Sequence, residues 1–261
     1  MSGQAAVSWN QFLSFSPLLA KTRAAEAVFW PGCAAMKLGG NLIGQAHTAL
    51  GEMLPGLGFS SWCCAKPTFA AGKEAQKKKR ADQLRRYFRD SGIKTVYTLC
   101  PNCRQTLARE FEVRVLSAWP LLADCAEARP FAATSFGTAI HRLHDPCAGR
   151  DDAASQEAAR RILAARGMPY GEFVHCGART RCCGRRDMLF LTKPDAARKM
   201  LDHRLAEAQG APILTYCESC AEAFRGAGRE SGHLLEALFD RRVPRSFGNR
   251  VSNARCGSRY T

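Results

Sequence analysis

Short apolar runs alternate along this chain with longer stretches of helical period. Ala27-Val28-Phe29-Trp30 is a compact apolar run halted by Pro31-Gly32, which predicts a strand. Residues 40–54 set Leu42, Ala46, Ala49, Leu50 and Met53 on one side at helical spacing. Residues 73–90 predict a charged helix whose apolar edge is Leu84, Tyr87 and Phe88, stopped by Ser91-Gly92. Lys94 to Leu99 is a β-rich run, and residues 104–111 read as helix. The order then returns. Residues 139–144 alternate as a strand, 153–166 and 187–209 have helical period, and Pro212 to Tyr216 predicts a last strand. Strands alternating with helices imply an α/β fold with a mainly parallel sheet covered by helices. Ligands in such sheets sit at the carboxyl ends of strands.

The cysteines sharpen that picture, because they fall at those strand ends and repeat. Cys33, Cys63-Cys64, Cys100 and Cys103 form one set of five. Cys147, Cys182-Cys183, Cys217 and Cys220 form the second. Cys147 follows Cys33 by 114 residues, Cys182 follows Cys63 by 119, and Cys217 and Cys220 follow Cys100 and Cys103 by 117 each. So steady an offset marks an internal duplication. A structural zinc closes with four ligands, so five thiols per unit is one too many. Disulfide frameworks suit small secreted domains, whereas 261 residues at 46% hydrophobic content build their own core. Several irons sharing a larger thiolate set fit the count. Cys100 and Cys217 also precede predicted helices, whose N-termini favour thiolate.

The strings Trp30-Pro31-Gly32-Cys33, Leu99-Cys100-Pro101-Asn102-Cys103, His144-Asp145-Pro146-Cys147 and Cys182-Cys183-Gly184 resemble the CCG-type cysteine-rich domain of heterodisulfide reductase B/D subunits. Related domains occur in iron–sulfur subunits of glycolate, lactate and glycerol-3-phosphate oxidoreductases. The resemblance runs from about residue 27 to about residue 240 and implies two tandem, pseudo-symmetric CCG-type units. It implies that the ten cysteines hold two non-cubane [4Fe-4S] clusters, which face one another and split a disulfide; zinc at one site is the alternative occupant. One departure stands out: the first unit reads Cys63-Cys64-Ala65, where the second keeps Gly184. Ala65 is compatible with the site on an ordinary backbone. The expected division is an N-terminal arm (1–26), a first unit (27–130), a second unit (131–240) and a basic tail (241–261) expected to be disordered.

The net charge of +15 suits a nucleic-acid binder, but two clusters at a formal −3 each would lower it to about +9. No nucleic acid partner is therefore expected. A zinc-stabilised nucleic-acid module remains a rival reading that explains the charge but not the fifth cysteine. Lys77-Lys78-Lys79-Arg80 with Arg85-Arg86 reads as a solvated helix face or a steering patch for an acidic partner. Arg179, Arg181, Arg185 and Arg186 flank Cys182-Cys183 and either grip an anionic substrate or offset cluster charge. His144 and His175 are proton donors, hydrogen-bond donors to cluster sulfur, or packed residues. Cys125 reads as a buried thiol, Cys176 as a competitor to Cys182, and Cys256 as an exposed tail residue. No dinucleotide or Walker fingerprint and no ferredoxin-type cysteine run is present. Electrons are expected from a flavoprotein or ferredoxin-type iron–sulfur subunit, and the substrate is expected to be a small disulfide. The alternative is an electron-transfer subunit of a flavin-linked hydroxy-acid or glycerol-3-phosphate dehydrogenase. The N-terminus lacks a convincing signal peptide and no run is long enough to span a membrane, so a cytoplasmic location is expected, with membrane attachment only through a partner.

Overall fold

The computed structural model describes residues 3–132 and 134–256. The chain divides into two compact units: residues up to Ala118 together with those from Arg245 onward, and Trp119–Pro244.

The first unit is built on β1 (Thr22–Arg23), β2 (Ala27–Trp30), β3 (Gly58–Ser60), β4 (Thr95–Thr98) and β5 (Arg114–Ser117). Their order is β1-β3-β2-β4-β5, parallel except for β1, which runs antiparallel to β3. The helices are α1 (Gly3–Ser14), α2 (Leu42–Met53), α3 (Lys66–Ala71), α4 (Glu74–Ser91) and α5 (Pro101–Glu110). β3 is buried throughout and β2 nearly so, as central parallel strands covered on both faces should be. Val28, Trp30, Leu84, Phe88, Val96 and Leu107 form the core around which the first five cysteines gather.

The second unit opens with α6 (Trp119–Ala128), followed by β6 (His141–His144), α7 (Ala153–Ala165) and β7 (Tyr170–Glu172). It continues with α8 (Leu189–Thr192), α9 (Pro194–Glu207), β8 (Ile213–Thr215), α10 (Glu218–Gly226), β9 (Ser231–His233) and α11 (Leu234–Leu238). Its sheet, β7-β6-β8-β9, is wholly parallel. It repeats the order β3-β2-β4-β5, and the registers agree: Trp30 lies opposite Thr98 as His144 lies opposite Thr215. Phe173, Ala208, Ile213 and Phe224 pack with Cys183, Cys217 and Cys220 in its core.

Three details differ from the sequence reading. The helical period over 187–209 is broken, because Lys193-Pro194 separates α8 from α9; proline lacks the N–H that a continuous helix needs. The units divide at Ala118–Trp119 rather than at 130, because α6 packs extensively on α7 of the second unit. The tail expected to be disordered forms α12 (Phe247–Cys256) in the first unit. There Asn253 Nδ2 donates to the carbonyls of Met36 and Leu38, both at 2.9 Å. Arg250 donates to Asn10 Oδ1 (3.1 Å) and Ser14 Oγ (2.7 Å), so this helix fastens α1. Among the described residues no helix is long and apolar enough to cross a membrane.

Candidate metal centres

In the first unit the thiols lie beyond the carboxyl ends of β2, β3 and β4. Cys33 follows β2 through Pro31-Gly32. Gly32 has φ +89°, and a Cβ there would lie 2.7 Å from Cys100 Cβ, so only glycine lets these two loops approach. Cys100 caps α5 and Cys103 lies in its first turn, a turn earlier than the sequence period suggested. Cys103 Sγ approaches Cys64 Sγ at 3.3 Å, and Cys63 Sγ approaches Cys33 Sγ at 3.9 Å. Gln11 of α1 donates to Cys63 Sγ (3.5 Å), its amide oriented by the Thr68 hydroxyl at 3.0 Å. Cys33 and Cys100 are half-buried and the other three are buried. Hydrogen bonds from Cys103 and Cys63 pull the Cys64 thiol down to about 6, against the push of burial. The shared bond with Cys63 and burial push Cys33 well up, against the pull of the Arg250 guanidinium.

The second unit repeats the plan with deeper burial; all five thiols are buried. Cys147 follows β6, Cys182-Cys183 follow the loop after β7, and Cys217 caps α10 with Cys220 in the first turn. Cys183 Sγ lies 3.2 Å from Cys220 Sγ, matching the Cys64–Cys103 pair. The Gly184 amide donates to Cys182 Sγ at 3.2 Å, and the Arg186 and Arg185 amides serve Cys182 and Cys183. Bonds from Cys147 and Cys183 pull the Cys182 thiol down, while the bond to Cys182 and burial push Cys183 up, against the pull of Cys220.

The residue after each CC pair is left-handed in both units. Gly184 has φ +84°, and a Cβ there would meet the Ala197 carbonyl oxygen at 2.4 Å. Ala65 has φ 59° and ψ 13°, not the ordinary backbone expected for it, and its methyl is fully buried. The first site has room for a Cβ, and the second has none.

Further residues brace the sulfurs, two of them, His144 and Asp145, within the string that ends at Cys147. Asp145, fully buried, accepts from Arg160 (3.2 and 2.9 Å), Tyr216 Oη (3.1 Å) and the Gly177 amide (2.7 Å). Its carbonyl accepts from Thr180 Oγ1 at 2.6 Å, so it ties the Cys147 loop to the approach to Cys182. His144, Cys183 and Cys220 bring their donor atoms within 4.8 Å of one another, close enough to share one metal. His144 is fully buried; burial and the Arg204 charge push its pKa well down, so it is neutral. Buried guanidinium groups occur in both units, Arg250 in the first and Arg166 and Arg204 in the second. Arg160, Arg204 and Arg250 come from helices distant in sequence, and no local pattern marks them.

The arginines around Cys182-Cys183 do not converge on it with their side chains. Arg179 and Arg181 are exposed, Arg185 stacks over Phe190 at 4.3 Å, and Arg186 pairs with Asp187 at 3.3 Å. Arg185 and Arg186 act on the sulfurs through their backbone instead. His175 pairs with Glu207 at 2.9 Å. Cys125, expected to be buried, is half-buried on α6, and Cys176 is half-buried at the start of a short turn. The Cys256 side chain lies outside the described residues. A cavity of about 230 Å³, lined by Cys183, Arg185, Phe190 and Arg198 among others, opens beside the second set.

The ten thiols are largely buried, and N–H groups reach Cys63, Cys182 and Cys183; thiolate is a soft ligand that favours zinc or iron–sulfur over calcium or magnesium. The residues present fit iron–sulfur clusters in both units.

Comparison with known proteins agrees. No curated protein matches the chain. Among solved structures it is similar to an aspartate racemase from Picrophilus torridus, at 12% identity over 88% of this chain and all of that one, with a TM-score of 0.33. It is also similar to glutamate racemase RacE1 from Bacillus anthracis, at 8% identity over 83% of this chain and 79% of that one, with a TM-score of 0.34. Likenesses this distant carry no argument about fold or function. The cysteine-rich domain model named CCG matches twice, over residues 27–108 and 142–225, once in each set of five cysteines. The chain therefore belongs to the CCG cysteine-rich domain family, with two copies of the domain in tandem.

Proposed function

We propose that this chain is an iron–sulfur oxidoreductase subunit of the heterodisulfide reductase B type, reducing a small disulfide to two thiols. Cys33, Cys63, Cys64, Cys100 and Cys103 would hold one non-cubane [4Fe-4S] cluster, and Cys147, Cys182, Cys183, Cys217 and Cys220 the other. The supporting observation is the repeated sulfur geometry, with Cys64–Cys103 at 3.3 Å and Cys183–Cys220 at 3.2 Å on matching sheets. When bound, the two clusters supply two one-electron carriers for a reaction that consumes two electrons and two protons. The chain's own residues prepare the sites. The cysteine contacts favour the thiolate at Cys64 and Cys182, amides 184–186 offset sulfur charge, and Gln11 does so at Cys63. Arg204 and Arg250 give each unit a buried countercharge. The cavity beside Cys183 suits a small substrate, and Arg185 and Arg198 on its walls favour an anionic one. Electrons would come from a flavoprotein or ferredoxin-type subunit, drawn to the lysine-rich face of α4 if acidic.

The test is anaerobic purification with iron, acid-labile sulfide and zinc counted per chain, then disulfide reduction with a chemically reduced electron donor. About eight irons with matching sulfide, and turnover, are expected. Cys183→Ala should lose about half the iron and all turnover. Full iron without disulfide reduction would favour the electron-transfer subunit, and zinc alone would end the iron–sulfur reading.

A further inference from the structure

The His144 ring has one nitrogen engaged and one idle. Nδ1 lies 2.9 Å from Arg204 Nη2. A guanidinium has donors only, so Nδ1 accepts, and the proton of the neutral imidazole sits on Nε2. Arg204 cannot turn away: Nη1 donates to Glu207 Oε2 (2.7 Å) and to the His175 carbonyl (3.0 Å), and its guanidinium lies 3.8 Å over the Phe173 ring. The His144 ring itself is held edge-on against Phe173 and Phe224, with centroids at 5.8 and 5.0 Å. Nε2 is left fully buried with no hydrogen-bond partner among the described residues. A buried donor without an acceptor costs about 1–3 kcal/mol. Sulfur able to accept is close at hand, since Cys183 Sγ and Cys220 Sγ lie within 4.8 Å of a ring nitrogen.

We propose that His144 is a hydrogen-bond donor to the sulfur of the second centre, held in the donor tautomer by Arg204, and that it raises that centre's reduction potential. The inference rests on the iron–sulfur reading above. A ligand role for His144 fails on the same geometry. A metal-bound imidazole donates from its other nitrogen to an acceptor, and here that nitrogen faces a donor. The first unit agrees. The residue in the same register is Trp30, whose Nε1–H is also buried without an acceptor among the described residues. Indole does not ligate metals, so what the two positions share is a buried N–H. A donor to sulfur, backed by a buried cation, stabilises the more negative reduced state and so raises the potential.

The experiment compares wild type, His144→Phe and His144→Gln after anaerobic purification. The second centre is identified as the signal lost in Cys183→Ala. With His144→Phe, iron and sulfide per chain should stay at the wild-type value. The one-electron reduction equilibrium of the second centre should fall about tenfold, a 59 mV negative shift. His144→Gln, which keeps an N–H, should fall between the two. Wild type should lack the strong ¹⁴N hyperfine coupling of an iron-bound imidazole. An unchanged potential in His144→Phe with full iron would overturn the donor role. Strong nitrogen coupling in wild type, or iron lost from both variants, would make His144 a ligand instead. Wild type without iron would overturn the cluster reading itself, and this inference with it.

Discussion

The left-handed residue after each CC pair gives a reciprocal test. In Gly184→Ala the new Cβ must sit at φ +84°, which costs about 1–2 kcal/mol for a residue with a side chain. It must also displace the Ala197 carbonyl oxygen, 2.4 Å away in the first turn of α9, an overpacking cost of about 1–3 kcal/mol. Together they come to about 2–5 kcal/mol, a large fraction of a domain's stability. The relaxation would draw the Gly184 amide off Cys182 Sγ, so the second centre should lose metal as well. Ala65→Gly runs the other way. Releasing φ 59° gains about 1–2 kcal/mol. Against this stand the buried methyl, about 0.8 kcal/mol, and the freer unfolded chain, about 0.4–1 kcal/mol. The net is within about 1 kcal/mol of zero. Anaerobic urea denaturation with iron counted per chain measures both variants. If Gly184→Ala kept full iron and lay within 1 kcal/mol of wild type, the steric account of the CCG glycine would be wrong.

Further outcomes follow from the network around the centres. Asp145→Asn places an amide among three donors and should cost about 3–5 kcal/mol in urea denaturation; a loss below 1 kcal/mol would show that Asp145 does not brace the two loops. Burial pushes the His47 pKa below its ordinary 6.5, despite bonds to the Leu57 and Gly58 carbonyls. Below about pH 6.5 the unfolded chain then binds more protons than the native one, so stability present above that pH is lost as pH falls, by up to about 1.4 kcal/mol per unit. His47→Gln should flatten this acid limb, and parallel stability–pH curves would refute the cause. Arg250 is buried with no carboxylate partner among the described residues, so stripping iron and sulfide should leave its charge uncompensated. Amide exchange across α12 should then accelerate in the apoprotein, and identical exchange would contradict the countercharge role.

The strand–helix alternation and both sets of five cysteines were legible because each lies in local pattern: β2 and β4 are apolar or β-branched runs, and CxxC marks a strand–helix junction. β3, β7 and β9 were not, since each is a three-residue strand that carries a glycine and lacks the apolar run that marks the equally short β8. The α8–α9 break was signalled by Pro194 but masked by helical residues on both sides. The tail misled through composition: α12 is basic and polar, yet Arg250, Asn253 and Ala254 are buried. Its docking rests on α1 and the Met36–Leu38 segment, more than two hundred residues away, and no window of sequence reports such a contact. Ala65 shows a different limit, because residue type alone does not fix φ.

The first unit is closed by residues that come after the second in the chain. During synthesis domains usually fold N-terminal first. Here the stretch from Trp119 to Pro244 emerges whole before α12 exists, whereas the first unit waits for Arg250 to fasten α1 and thereby seat Gln11 on Cys63. Completion of the two units therefore runs opposite to the order in which they begin in the chain, and the earlier set of thiols waits longest for its last closing contacts.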